Sequence, residues 1–176
     1  MGALKYIGTF VLLFTLFPGL AQEFDTIPWS ADRRLAWTDF KGNPPNGDRA
    51  AATTASGLTY RFSSLSRNGE IELDFEVHTF FYPHKSWYKP DLCDELTLSH
   101  EQLHFDIAEL QARKMRRIVA ATRFSENIKA EIRAIYRDII KELNAFQHRY
   151  DSETNFSRNR SQQLAWNKKI RNALRE

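Results

Sequence analysis

Between Thr53 and Tyr82 the chain alternates apolar and polar positions with a period of two. Leu58, Tyr60 and Phe62 fall on one face of a first strand, from Thr53 to Ser63. Ile71, Leu73, Phe75 and Val77 alternate with Glu70, Glu72, Asp74, Glu76 and His78 in a second strand that runs to Tyr82. This alternation predicts half-buried antiparallel strands. Arg67-Asn68-Gly69 supplies the hairpin turn signal between them. His78 falls on the polar face, solvated beside Glu76. Beyond Pro90 the period lengthens. Leu96, Leu103, Ile107, Leu110 and Ile118 predict a helix over about 92–121, with Asp91 as its cap. Arg113, Lys114, Arg116 and Arg117 read as its solvated face. Ser125 opens a second helix, carried by Ile128, Ile132, Ile135, Ile139, Leu143, Phe146 and Tyr150. Asp151 to Arg160 reads as a polar loop. Ser161 to Leu174 reads as a short third helix with Leu164, Ile170 and Leu174 inward. Upstream, Phe24, Trp29, Trp37 and Phe40 clamp an irregular N-terminal segment onto the core, with Arg34 to Thr38 as a short strand. Strands come first and helices after, so the fold class is α+β, a small antiparallel sheet packed on helices.

Composition narrows the setting. Lys5, an apolar run from Ile7 to Phe17, Pro18, and the small residues Gly19 and Ala21 make a secretory signal peptide over residues 1–21. The run is too short to span a bilayer, and no cysteine follows it to carry a lipid. A single exported domain, 22–176, is therefore expected, secreted or periplasmic, with no membrane insertion after cleavage. The net charge of +3 is too mild to argue for nucleic acid. The single cysteine, Cys93, excludes an internal disulfide.

Chemistry is concentrated at His100-Glu101-Gln102-Leu103-His104, an H-E-x-x-H pattern inside the first helix. Residues four apart lie one turn above each other, so both imidazoles can hold one ion. The ion expected is zinc, and Glu101 beside it is the general base. A catalytic zinc needs a third protein ligand. Cys93 lies seven residues before His100, a rise of about 10.5 Å along a helix, beyond the reach of shared coordination. The short connection near Thr122 to Phe124 instead folds the second helix back antiparallel on the first. Counting equally from that turn brings Leu143 to Glu153 level with the two histidines. Asp151, then Glu153, then His148 are the candidate third ligands. Tyr150, on the inward stripe, is the candidate oxyanion donor.

These residues resemble the bacterial exported proteins grouped as domain of unknown function 922, regarded as zinc-dependent proteases. The resemblance rests on Leu35-Ala36-Trp37-Thr38-Asp39-Phe40-Lys41-Gly42. It continues with His100-Glu101-Gln102-Leu103-His104-Phe105-Asp106 running into Glu109, Ala112 and Arg113, then Tyr150-Asp151-Ser152-Glu153-Thr154, Gln163 and Trp166. It implies a zincin-like active-site helix. It also implies a histidine ligand two residues after Thr154, where this chain carries Phe156. The reading is an exported zinc metallopeptidase acting on peptides or proteins, with the Glu70 to Tyr82 strand alongside its substrate. The alternative is a degenerate, non-catalytic envelope binding or scaffold protein.

Overall fold

A computed structural model of the chain describes residues 25–67 and 70–175. The expected leader, Phe24 and the Asn68-Gly69 turn lie outside them. The class is α+β. Two long strands, β3 (Ser56–Arg67) and β4 (Glu70–Phe81), pair antiparallel in continuous register from Ser56 with Phe81 to Arg67 with Glu70. The short β1 (Ile27–Pro28) joins the far side of β4, giving the order β1-β4-β3. The predicted first strand is in fact split. Ala52–Thr53 forms a separate β2, which pairs with Trp87–Tyr88, β5, in a second two-stranded sheet.

Three helices follow: α1 (Glu95–Ala121), α2 (Ile128–Thr154) and α3 (Arg160–Ala173). The caps sit slightly inside the predicted ones. A 3-10 turn at Pro90–Leu92 delays the start of α1, and Asp94 caps it by accepting from the Thr97 amide at 2.8 Å. Asn127 is the cap residue of α2, with the Ser125 hydroxyl accepting from its amide. The Arg34 to Thr38 segment is not a strand. It leads into a 3-10 turn at Trp37–Asp39, held where Asp39 accepts from Ala36 N and from Arg33. The aromatic clamp is present, with Trp29 and Trp37 packed against Ile27, Leu35, Phe40, Phe81 and Phe105.

Inward residues of the sheet, Leu58 and Val77, meet Leu103, Ile107, Ala108, Ala112 and Met115 of α1 in the main core, which continues through Ile132, Ile139 and Leu143 of α2. His100 with Asp151, His104 with Gln147 and Lys114 with Glu142 show α1 and α2 running antiparallel. On α3 the buried stripe is Gln163, Trp166 and Ile170, whereas Leu164 is 51% exposed. Ile170 and Leu174 face inward as expected, and only Leu164 is displaced outward, with Gln163 in the inward position beside it.

The central turns of α1 are enclosed on all sides, so their polar residues need partners. Asp106 accepts from Trp29 Nε1 at 2.9 Å, Arg34 Nη1 at 2.9 Å and Gln102 Nε2 at 2.8 Å. Gln102 Oε1 in turn accepts from Leu35 N at 2.7 Å. Glu109 accepts from Thr79, Arg113 and Arg116. Arg113 and Arg116 also donate to the carbonyls of Leu174 and Val77, so they are anchors rather than a solvated face. The H-F-D motif thus fastens the N-terminal segment to the helix that carries the site. Replacing Asp106 with Ala removes three acceptor contacts and leaves the Trp29 and Gln102 donors unpaired. It should lower unfolding free energy by about 2–4 kcal/mol, read as an earlier midpoint in urea denaturation.

Candidate metal centre

Among the enclosed polar groups, Glu101 Oε2 has no hydrogen-bond partner, and Asp151 Oδ1 meets only imidazole nitrogens. Both lie at the junction of α1 and α2. The second helix does not end at Tyr150 but continues to Thr154, so Asp151 is held on a regular turn and aims at α1. His100 Nε2 and His104 Nε2 are 3.3 Å apart. Asp151 Oδ1 lies 3.2 Å from the first and 3.0 Å from the second. His100, His104 and Asp151 form the one group among the described residues able to hold a metal ion. Donors bonded at 2.0–2.1 Å to a tetrahedral ion stand about 3.3–3.4 Å apart. The triangle of two nitrogens and one oxygen is close to that size.

The surroundings fix which atoms face inward. Gln163 Oε1 lies 2.9 Å from His100 Nδ1, and Gln147 Oε1 lies 3.2 Å from His104 Nδ1. An amide oxygen only accepts, so each Nδ1 carries the proton and each Nε2 presents a lone pair. The Gln163 amide nitrogen is engaged elsewhere, by Asn167 Oδ1 at 2.9 Å and Tyr150 Oη at 2.7 Å, which supports this orientation. Two imidazole nitrogens and a carboxylate oxygen converge on one point, where either a shared proton or a metal cation satisfies them. The donor set therefore fits a divalent metal.

Charge follows the geometry. Burial alone would raise Asp151, but the two imidazoles outweigh it and hold its carboxyl well below the usual range. Burial alone would lower His104, but Asp151, Glu101 and Gln147 together leave its pKa above the ordinary value. Burial pushes the Tyr150 hydroxyl strongly upward.

Tyr150, the candidate oxyanion donor, is brought to the centre with its hydroxyl engaged inside the protein. It is wholly buried, its ring stacks on His100 with centroids 4.5 Å apart, and its hydroxyl is taken up by His100 O and Gln163. The inward stripe that singled it out is the reason its hydroxyl faces away from solvent. It positions His100. Among the other candidate ligands, His148 is exposed, and Glu153 is exposed and accepts from Trp166 Nε1 at 2.8 Å. Cys93 donates to Ala51 O at 3.3 Å, outside the triad.

The triad opens onto a cleft of about 900 Å³ that Glu101 also lines. Its wall includes the run Arg49 to Thr54, so the segment through β2 borders the site rather than the Glu70 to Tyr82 strand. β4 is the middle strand of the other sheet. Phe156 stands in the same wall, on a turn where Asn155, Phe156 and Ser157 all have left-handed φ of 48, 53 and 70°. Such residues cost on the order of 1–3 kcal/mol each. The turn is held by Phe156 N donating to Asp151 O at 3.0 Å and Asn159 N to Thr154 O at 2.8 Å. Sequence reasoning missed Gln147 and gave Gln163 no role. The available signal was Gln163 itself, a polar residue three before Trp166 on the inward stripe of α3.

An α+β domain with a buried two-histidine, one-carboxylate centre is the class that fold and site define. Residues 85–158 match the model of a family of bacterial proteins of unknown function, DUF922, the same family that the motifs resemble. No curated protein and no solved structure matches the chain.

Two outcomes follow from the geometry. Gln147→Ala removes the acceptor that orients His104 without touching the triad, and should weaken divalent-metal affinity by about tenfold or more, measured by competition with a chelating dye. The second concerns pH. His104 is held high, so in metal-free protein its stabilising share is full below about pH 6.5 and fades as pH rises through its folded value. Asp151 is held low, so its share is present above about pH 4 and lost only in acid. A bound ion needs all three groups deprotonated, and its stabilisation grows with pH. The rise in Tm on adding zinc should therefore be larger at about pH 8 than at about pH 6, in paired thermal melts.

Proposed function

We propose that the protein is an exported zinc-dependent metallopeptidase with a zincin-like active-site helix. The observation that carries this reading is the convergence of His100 Nε2, His104 Nε2 and Asp151 Oδ1 at tetrahedral spacing, with Glu101 Oε2 unpartnered beside them at the cleft wall. Two imidazoles and one carboxylate with an open side are the ligand pattern of catalytic zinc, whereas structural zinc takes four protein ligands. Bound there, zinc supplies Lewis acidity, polarising a substrate carbonyl and making water acidic enough to lose a proton at neutral pH.

The chain's own residues do the rest. Glu101 is buried, faces the cleft and spends no hydrogen bond on Oε2, so that oxygen is free to take a proton from the attacking water. The same carboxyl then returns it to the departing amine. Gln163, Gln147 and Tyr150 hold the rings still, which keeps both lone pairs aimed through the reaction. The Arg49 to Thr54 run offers mostly small side chains beside the site, which leaves its backbone accessible to an extended peptide.

Phe156 does not weigh against this reading. It is 58% exposed at the cleft wall, rather than plugged between the imidazoles, and Asp151 supplies the third ligand from the preceding helix turn.

Glu101→Gln should retain zinc and lose peptide cleavage by about 10²–10⁴-fold. The double variant His100→Ala, His104→Ala should lose the zinc. Metal analysis of purified protein, beside cleavage of a mixed peptide pool, reads both. Undiminished cleavage by Glu101→Gln would remove the mechanism.

A further inference from the structure

Four large apolar residues of the described chain are well exposed: Leu65, Leu92, Phe156 and Leu164. Two of them, Leu92 at 61% and Phe156 at 58%, line the cleft that contains the metal-binding triad. They arrive from different elements. Leu92 ends the 3-10 turn before α1, and Phe156 sits on the left-handed turn after α2. The place of Phe156 does not favour such a residue. A phenylalanine with positive φ is a conformational outlier, and the position would accept glycine or asparagine more readily. Burial does not explain the choice, because over half of each side chain faces solvent. The same wall also carries the short side chains Ala50, Ala51, Ala52, Thr53 and Thr54.

We infer that Leu92 and Phe156 grip a large apolar side chain of the substrate, so that the protein selects peptides carrying leucine, phenylalanine or methionine next to the reacting bond. This rests on the peptidase reading above, and names the substrate class for it. A large apolar group moved from water into contact with two such residues gains affinity, while a small polar one gains nothing. The turn that carries Phe156 is tied by its amide to the carbonyl of Asp151, so the apolar contact and the metal ligand are set by one piece of backbone.

The test uses the zinc-loaded chain and a peptide set varied at one position among Leu, Phe, Met, Ser, Gln and Asp. Cleavage is followed with the native residues at 92 and 156, and with the double variant Leu92→Ser, Phe156→Asn. Binding of the same fluorescein-labelled peptides is followed by anisotropy in Glu101→Gln protein with and without that double change. Asparagine suits the left-handed backbone and position 92 is exposed, so melting temperature should not fall and zinc content should not change. The expected result is a preference for the large apolar peptides of about tenfold or more in kcat/KM and in binding, flattened in the double variant. Cleavage with no apolar preference, or a preference that survives the double change, overturns the inference and leaves the peptidase reading standing. Apolar-selective binding that depends on Leu92 and Phe156, without cleavage of any peptide, sinks the peptidase reading and supports the grip. Absence of selectivity in both assays overturns the grip.

Discussion

Everything in this molecule depends on three electron-rich atoms held within 3.3 Å of one another. With a proton shared among them they form a His–Asp pairing, and with both imidazoles neutral their lone pairs and the carboxylate repel. Packing holds them in place. Tyr150 lies flat on the His100 ring and edge-on to His104, Gln163 and Gln147 hold the outer nitrogens, and the backbone of two antiparallel helices supplies the rigid frame. A cation removes the repulsion without moving an atom, which is the sense in which the centre is preorganised.

That frame has its own supports. α1 is buried along its middle turns between the sheet, the other helices and the N-terminal segment. Enclosure normally calls for apolar residues, yet His100, Glu101, Gln102, Asp106 and Glu109 occupy these turns. Asp106 and Glu109 are tied down by Trp29, Arg34, Thr79, Arg113 and Arg116, so they are structural members whose loss would let the helix shift. His100 and His104 are tied only on their outer nitrogens, and Glu101 keeps one oxygen unbonded. The division between anchors and reactive groups is readable from where each hydrogen bond is spent.

Much of this was legible beforehand, for identifiable reasons. Two histidines at a spacing of four announce a shared helix face. A short connection between two amphipathic helices fixes their direction, so counting back from the turn brought Asp151 level with His100. The hairpin followed from strict alternation. Other features escaped because they depend on tertiary surroundings. α2 runs on through Asp151 to Thr154 because Asp151 aims across at the imidazoles and Thr154 is buried against the Tyr150 carbonyl, although the local composition suits a loop. α3 turns Gln163 inward and Leu164 outward because a histidine nitrogen needs an acceptor there, a demand that no local hydrophobic count contains. The arginines of α1 look solvated in a linear reading, yet their partners are Glu109 and the carbonyls of Val77 and Leu174, distant in sequence.

Phe156 joins these threads. Family likeness implied a histidine ligand at this place, and a phenylalanine there looked like a lost metal site. The antiparallel geometry removes the difficulty, since Asp151 already closes the triangle from a helix turn that points at both rings. Position 156, lodged on an unfavourable backbone conformation in the cleft wall, has no packing reason to be aromatic. Stability would favour asparagine or glycine on such a turn. An exposed aromatic ring in their place is the kind of local cost that proteins carry where a surface meets a ligand, and it stands on the same few residues of chain as Asp151.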